Sequence, residues 1–301
     1  MHSRRKFLTN AGTLVAGTLG ATALPAAQHE LRPAPTETVS LCGQWSFRID
    51  PAAVGTAQRW YDAGYAASDW QSVDVPHTWQ VDPASTDYRG IAWYRRPFDV
   101  PTAWQPATVR IEFEAVFHSA TVWVNGLAAG EHTLKGYTTF ALDITKLLRP
   151  GRTNTVTVRV DNGFNDRMLP RGHSSDWAHD GGIYRPVQLL VTPKTFVERV
   201  DVEAVPDLTS GEGKLTITAY ARNTSSRPWR GWASFQVFDE DTGLAVLSAE
   251  TPNLSIQAGA TRTVVIHPVL PHARLWHFDH PHLYRLDFSL ADERESHLFT
   301  T

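Results

Sequence analysis

The central motif of the first half of the chain is Ala120-Thr-Val-Trp-Val-Asn-Gly126. A short strand-like run ends here at Asn125-Gly126, a pair that tolerates positive φ and therefore favours a tight hairpin turn. The predicted local unit is a strand, a turn and a returning strand.

Alternation of apolar and polar residues recurs on both sides of this hairpin with the period of half-buried strands. Clear examples are Val109-Arg-Ile-Glu-Phe-Glu114 and Thr155-Val-Thr-Val-Arg-Val-Asp161. Each run is expected to have one face in the core and one face in water. Because no long helical pattern appears, the predicted fold class is all-β.

Composition restricts the function. The chain has 301 residues, is 42% hydrophobic and 20% charged, and carries a formal charge of -3. It can therefore form folded cores, but it offers no basic field that would attract nucleic acid. Its 11 Trp suit both sandwich cores and the faces of sugar rings. A single cysteine, Cys42, allows no internal disulfide.

The N-terminus has the pattern of an export signal. Ser3-Arg-Arg-Lys-Phe-Leu8 precedes an uncharged stretch of small residues that ends near Ala26-Ala27. It resembles a twin-arginine signal peptide, placed at residues 1–27, which predicts a periplasmic or secreted protein without a membrane attachment after cleavage. The alternative is a membrane anchor, for which the apolar run is short compared with ~20 residues.

The chain divides near Thr192-Pro-Lys194, where proline interrupts a strand pattern. We predict a tether at 28–38, a first domain at 39–193 and a second domain at 196–301. Strand candidates in the second domain are spaced as in an immunoglobulin-like sandwich of ~100 residues. They lie at 214–221, 233–238, 261–267 and 284–290.

Several motifs together resemble the sugar-binding domain of family 2 glycoside hydrolases, which include β-galactosidases, β-glucuronidases and β-mannosidases. These are Leu41-Cys-Gly-Gln-Trp-Ser-Phe47, Val75-Pro-His-Thr-Trp79, Ala92-Trp-Tyr-Arg-Arg-Pro-Phe98, Val122-Trp-Val-Asn-Gly126, Gly136-Tyr-Thr-Thr-Phe140, Leu142-Asp-Ile-Thr145 and Asp180-Gly-Gly-Ile-Tyr-Arg-Pro-Val187. His280-Pro-His-Leu-Tyr284 resembles the end of the family's second domain. The resemblance implies a jelly-roll, galactose-binding-like sandwich followed by an immunoglobulin-like sandwich.

The resemblance also implies that catalysis takes place elsewhere. Family members carry two catalytic carboxylates on a third domain, a (β/α)8 barrel, with the acid/base Glu directly after an Asn. The sequence contains no Asn-Glu pair. The chain is therefore expected to be inactive alone, as the carbohydrate-binding front of a glycosidase whose barrel is missing or separate. The alternative is a stand-alone periplasmic module that binds carbohydrate or a partner. Family members are often oligomers, and self-association is left open.

The candidate sugar site is the polar loop 171–180. An Asp seven residues before the Ile of the Gly-Ile motif contacts sugar in family members, and Asp176 has that relation to Ile183. Trp177 offers a stacking face, and His173 and Asp180 are further candidates. The alternatives are that the loop is an ordinary solvated connection and that Asp176 only caps its own turn.

The sequence gives weaker support for three other kinds of site: a catalytic carboxylate pair, a serine nucleophile and a metal site. Glu112 and Glu114 are two residues apart on one strand face, where solvated carboxylates are the simpler interpretation. Ser174 has histidines nearby but no G-x-S-x-G elbow. The histidines at 277, 280 and 282 fit no named zinc spacing. We therefore assign no catalytic residue, no metal and no cofactor.

Overall fold

The computed structural model describes residues 36–169 and 177–293 and the backbone of 296–300. The protein is all-β. In the residues that the structure describes, the helical elements are three short 3-10 turns. Within these ranges no helix combines the length and the apolar character needed to cross a bilayer.

The first sandwich has ten strands in two antiparallel sheets. They are β1 Glu37–Ser40, β2 Gly43–Ile49, β3 Gln71–Val75, β4 Ile91–Val100, β5 Thr108–Phe113, β6 Ser119–Val124, β7 Leu127–His132, β8 Phe140–Asp143, β9 Arg152–Asp161 and β10 Val187–Thr192. The larger sheet has the order β3-β2-β4-β9-β6-β7, and the smaller has the order β1-β10-β5-β8.

The second sandwich follows at once. Its strands are β11 Thr195–Asp207, β12 Glu212–Asn223, β13 Trp229–Asp239, β14 Ala245–Ile256, β15 Thr261–Ile266, β16 Val269–Leu270, β17 Trp276–His277, β18 His280–Pro281, β19 Tyr284–Ala291 and β20 Ser296–Thr300. One sheet has the order β11-β12-β15 with β16 also on β12, the other has the order β14-β13-β19-β20, and β17 and β18 form a separate small hairpin.

The alternation seen in the sequence decides which residues form each core. Trp45 and Tyr94 from the larger sheet and Ile111 and Leu189 from the smaller sheet meet in one buried cluster. The second sandwich has its own cluster around Phe235, Phe288 and Ile217. The jelly-roll and immunoglobulin-like sandwiches predicted for the two halves are thus the observed folds.

The hairpin at Asn125-Gly126 also has the predicted geometry. Both residues have positive φ, +54° and +82°, as a two-residue turn of this kind requires. The Asn125 side chain adds a second role, because its amide nitrogen donates to the side-chain oxygen of Asn154 at 2.7 Å. Asn154 is fully buried and ties the same corner to the backbone of Arg149.

The outer face of the larger sheet was expected to face water, but part of it is covered. Trp60, Trp70 and Trp93 form a second cluster there, because the segment between β2 and β3 folds over the sheet. Arg95 is buried beneath it and donates to backbone carbonyls, including that of Asp62 at 2.9 Å. Thr157, on the predicted wet side of β9, is consequently buried.

The outer face of β5 is also partly covered, here by the second sandwich. The guanidinium carbon of Arg110 lies 4.2 Å from the ring centre of Phe196, and burial lowers the pKa of Arg110. The hydroxyls of Thr108 and Thr224 are 2.6 Å apart. The short connection between the sandwiches is therefore accompanied by direct contacts.

Candidate functional site

The Gly181-Gly182 pair attaches the candidate loop to the first sandwich. Gly182 and Phe117 exchange two backbone hydrogen bonds of 2.9 Å, and the Trp79 amide donates to the Gly181 carbonyl at 3.2 Å. The Gly181 amide donates to the side-chain oxygen of Gln80 at 2.7 Å. A Cβ on Gly181 would lie 2.1 Å from the Trp79 ring, so the approach requires glycine.

His179 is the buried anchor of this loop. Its ring packs between Phe117, at 5.1 Å between ring centres, and Phe164, at 4.3 Å. Its carbonyl accepts a hydrogen bond from the side-chain nitrogen of Asn162, Nδ2, at 3.0 Å. His179 is buried, whereas its neighbours Trp177 and Asp180 are exposed at the surface.

Trp177 and Tyr137 form an exposed aromatic pair. The two residues are 52% and 48% exposed. The indole nitrogen of Trp177 donates to the Tyr137 hydroxyl at 2.6 Å, and the rings meet edge to face at 5.8 Å. Tyr137 in turn contacts Phe117, with 5.3 Å between ring centres. Desolvation raises the pKa of the Tyr137 hydroxyl, although the bond from Trp177 opposes this rise. The pair is thus held by the protein yet accessible to a ligand.

A cleft of about 350 Å³ lies beside Trp177, the member of this pair that lines it. Trp177 and Asp180 line it from one side together with Phe164, and Asp87 and Arg89 line it from the segment that follows β3. Such a combination of ring faces and a few polar groups is typical of small-molecule sites. The cleft can offer stacking surfaces together with hydrogen-bond donors and acceptors.

The structure therefore brings together two of the four residues predicted from the sequence, Trp177 and Asp180. The other two, His173 and Asp176, lie outside the described residues, as does Ser174. Asp87 and Arg89 were missed, because they are distant in sequence and only the fold brings their segment to the loop. Tyr137 belongs to the Gly136-Tyr motif that the sequence analysis identified, but that motif did not indicate that Tyr137 takes part in binding.

Glu112 and Glu114 are interpreted as structural residues of strand β5 and its end, not as a catalytic pair. Both are partly buried, and Glu112 accepts a hydrogen bond from the Gln188 side chain on the neighbouring strand β10 at 2.7 Å. This bond is a cross-strand contact of the kind that stabilises sheets.

Of the three histidines at 277, 280 and 282, His282 joins a network of hydrogen bonds and ion pairs. Nδ1 of His282 is 2.9 Å from a carboxylate oxygen of Asp241, which also pairs with Arg274 at 2.7 Å. Arg274 reaches Asp239 at 3.0 Å as well. Across the described residues, no three His, Cys, Asp or Glu side chains gather in a metal-binding arrangement. This network fastens the β17–β18 hairpin to the turn after β13.

Two β-sandwiches in tandem, with an exposed aromatic pair and a cleft lined by ring faces and polar groups on the first, form a surface suited to binding a carbohydrate. The family described as "Glycosyl hydrolases family 2, sugar binding domain" matches residues 38–193, and "Glycosyl hydrolases family 2" matches residues 195–300. The chain belongs to glycoside hydrolase family 2. It contains that family's sugar-binding domain and the immunoglobulin-like domain that follows it.

Individual relatives agree with this assignment. A β-glucuronidase of Bacteroides fragilis is 31% identical over 265 residues, covering 84% of this chain and 35% of that protein. A β-galactosidase of Thermoanaerobacter pseudethanolicus is 31% identical over 242 residues, covering 78% of this chain and 31% of that protein. The crystal structure of a Bacteroides uniformis β-glucuronidase matches with a TM-score of 0.79 and 25% identity, over 88% of this chain and 32% of that one. The chain thus spans about a third of the length of these relatives.

Proposed function

We propose that the cleft beside Trp177 binds a β-glycoside, and that the chain serves as the carbohydrate-binding front of a family 2 glycosidase. The observation that carries this proposal is the aromatic pair of Trp177 and Tyr137. A half-exposed tryptophan whose polar nitrogen is already satisfied by Tyr137 presents an apolar ring face to solvent. The C–H face of a pyranose ring is a suitable partner for such a surface.

Asp180 supplies the polar part of the proposed contact. It is exposed and lies in the cleft next to Trp177. A carboxylate accepts hydrogen bonds from two adjacent sugar hydroxyls, and charge-assisted bonds of this kind contribute ~1.5–3 kcal/mol when sheltered from water. We assign Asp176 and His173 to the same sugar contact on the basis of the family resemblance alone.

The proposed reaction of the whole protein is hydrolysis of O-glycosidic bonds in β-glycosides. Its support is that the relatives are named β-glucuronidase and β-galactosidase. Hydrolysis needs an acid and a nucleophile or base on opposite sides of the bond. We assign neither role to this chain and propose that a catalytic barrel supplies both.

The proposed location is the periplasm or the cell exterior. Its support is the arrangement of Arg4-Arg5-Lys6 before an uncharged, small-residue stretch. Replacing both arginines with lysine should leave the protein in the cytoplasm, as cell fractionation would show, whereas unchanged export would contradict the twin-arginine route.

Sugar binding is tested by calorimetric titration of the mature chain with methyl β-galactoside and methyl β-glucoside. We expect millimolar dissociation constants, or ~4 kcal/mol, because the cleft is open to water. Trp177→Ala should weaken binding at least tenfold, which corresponds to ~1.4 kcal/mol.

Trp276→Ala is the matched control, since Trp276 is 62% exposed and belongs to the second sandwich. Its binding constant should equal that of the wild type. Equal affinities for Trp177→Ala and the wild type, or a complete lack of sugar binding by the folded chain, would show that the site is wrongly assigned.

A further inference from the structure

The charges lining the cleft are unequal. Asp87 and Asp180 are both exposed, and neither makes a hydrogen bond or an ion pair with any described residue. Arg89 is the one lysine or arginine among the described lining residues. Among the described lining residues, two unpaired carboxylates thus face a single cation, and their summed charge is negative.

Arg89 is also poorly placed to bind an anion. One of its terminal nitrogens, Nη1, donates to the carbonyls of Thr86 at 3.1 Å and Tyr88 at 3.0 Å. Its Nε is buried and has no hydrogen-bond partner in the described structure. Strong recognition of a carboxylate uses two parallel N–H groups of one guanidinium. With Nη1 engaged and Nε enclosed, Arg89 cannot present that pair to a ligand in the cleft.

The remaining lining suits an uncharged ring. Trp177 and Phe164 are 52% and 41% exposed and offer apolar surface. The free carboxylates of Asp87 and Asp180 are acceptors for hydroxyl groups. The volume of about 350 Å³ is at the small end of the range for ligand clefts, ~300–1,000 Å³. These features together match one neutral sugar unit rich in hydroxyl groups.

We infer that this cleft selects a neutral pyranose unit and disfavours a uronic acid unit at the same position. The inference rests on the proposed sugar-binding function and narrows its ligand class. The inference concerns the sugar unit bound in this cleft. A glycosidase that contains this chain would therefore bind a neutral unit in the cleft, whichever sugar its catalytic domain cleaves.

Two ligands that differ only at C6 provide the test. Methyl β-glucoside carries a hydroxymethyl group there, and methyl β-glucuronide carries a carboxylate. Titrated into the mature chain at pH 7 and low salt, the glucoside should bind at least fivefold more tightly. Added salt should reduce this ratio, because screening weakens the repulsion between exposed charges.

Asp87→Asn and Asp180→Asn remove the two negative charges while keeping similar shapes. The double variant also loses charge-assisted bonds to hydroxyl groups that both ligands carry, so the glucoside should bind more weakly than it does to the wild type. The two affinities should nevertheless come to within about twofold of each other, because the repulsion that acts only on the glucuronide is removed. Glu250→Gln is the matched control, because it removes one exposed carboxylate from β14 in the second sandwich. It should leave the ratio unchanged.

The outcomes separate the two proposals. If neither ligand binds to the folded chain, the sugar-binding function fails and this inference fails with it. If the glucuronide binds as tightly as the glucoside or more tightly, sugar binding stands and the inference alone is overturned. A glucoside preference that persists in the double Asn variant would also overturn it, because the cause would not be these carboxylates.

Discussion

Gly182→Ala tests the attachment of the candidate loop. Gly182 has a φ of +142°, a conformation that residues with a Cβ rarely adopt. A Cβ at this position would lie 2.3 Å from the His77 carbonyl oxygen and 2.8 Å from the Tyr94 hydroxyl. Neither neighbour can move easily, because the His77 amide donates to the Ile183 carbonyl at 2.7 Å and Tyr94 is completely buried.

Two costs add in this variant. Holding a non-glycine residue in such a backbone conformation costs ~1–3 kcal/mol. Forcing an extra methyl group into a packed site costs another ~1–3 kcal/mol. We therefore expect the free energy of unfolding to fall by ~2–6 kcal/mol, which for a sandwich of this size, at ~2–4 °C per kcal/mol, lowers the Tm by roughly 4–24 °C.

Gly43→Ala separates the two costs. Gly43 belongs to the same sandwich and has a φ of +99°, but its added Cβ would meet only the end of the flexible Arg96 side chain, at 3.8 Å. It should therefore show the backbone cost without the clash. Thermal unfolding followed by circular dichroism compares the variants. If Gly182→Ala is no less stable than Gly43→Ala, the close approach inferred at Gly182 is wrong.

Two further predictions concern stability. Asn154→Ala should lower the free energy of unfolding by ~2–6 kcal/mol in guanidinium titrations, because it removes four hydrogen bonds of a buried side chain, to Asn125, Arg149 and Arg152, at ~0.5–1.5 kcal/mol each; a loss below ~1 kcal/mol would contradict this. Burial lowers the pKa values of His77 and His118 from 6.5, so the unfolded chain binds protons near that pH that the folded chain does not. The free energy of unfolding should consequently decrease as the pH is lowered from 7.5 to 5.5. A free energy of unfolding that is unchanged or higher at pH 5.5 would refute the predicted direction of the pH dependence.

Local patterns in the sequence determined much of the architecture. Alternation identified the strands, because a strand must place every second side chain on the same face. Asn125-Gly126 predicted its hairpin because both residues adopt positive φ. Gly181-Gly182 permits the close approach to Trp79 and His77, because glycine has no Cβ.

The covering of each sheet was decided by the tertiary structure alone. Thr157 alternates like a solvated residue but is buried, because the Trp60 and Trp70 segment folds over it. Likewise, no local pattern distinguishes buried Trp79 from exposed Trp177. Strand periodicity specifies which residues share a face, but contacts between segments distant in sequence specify what lies against that face. The same contacts bring the segment after β3 beside the 177–180 loop and so create the cleft.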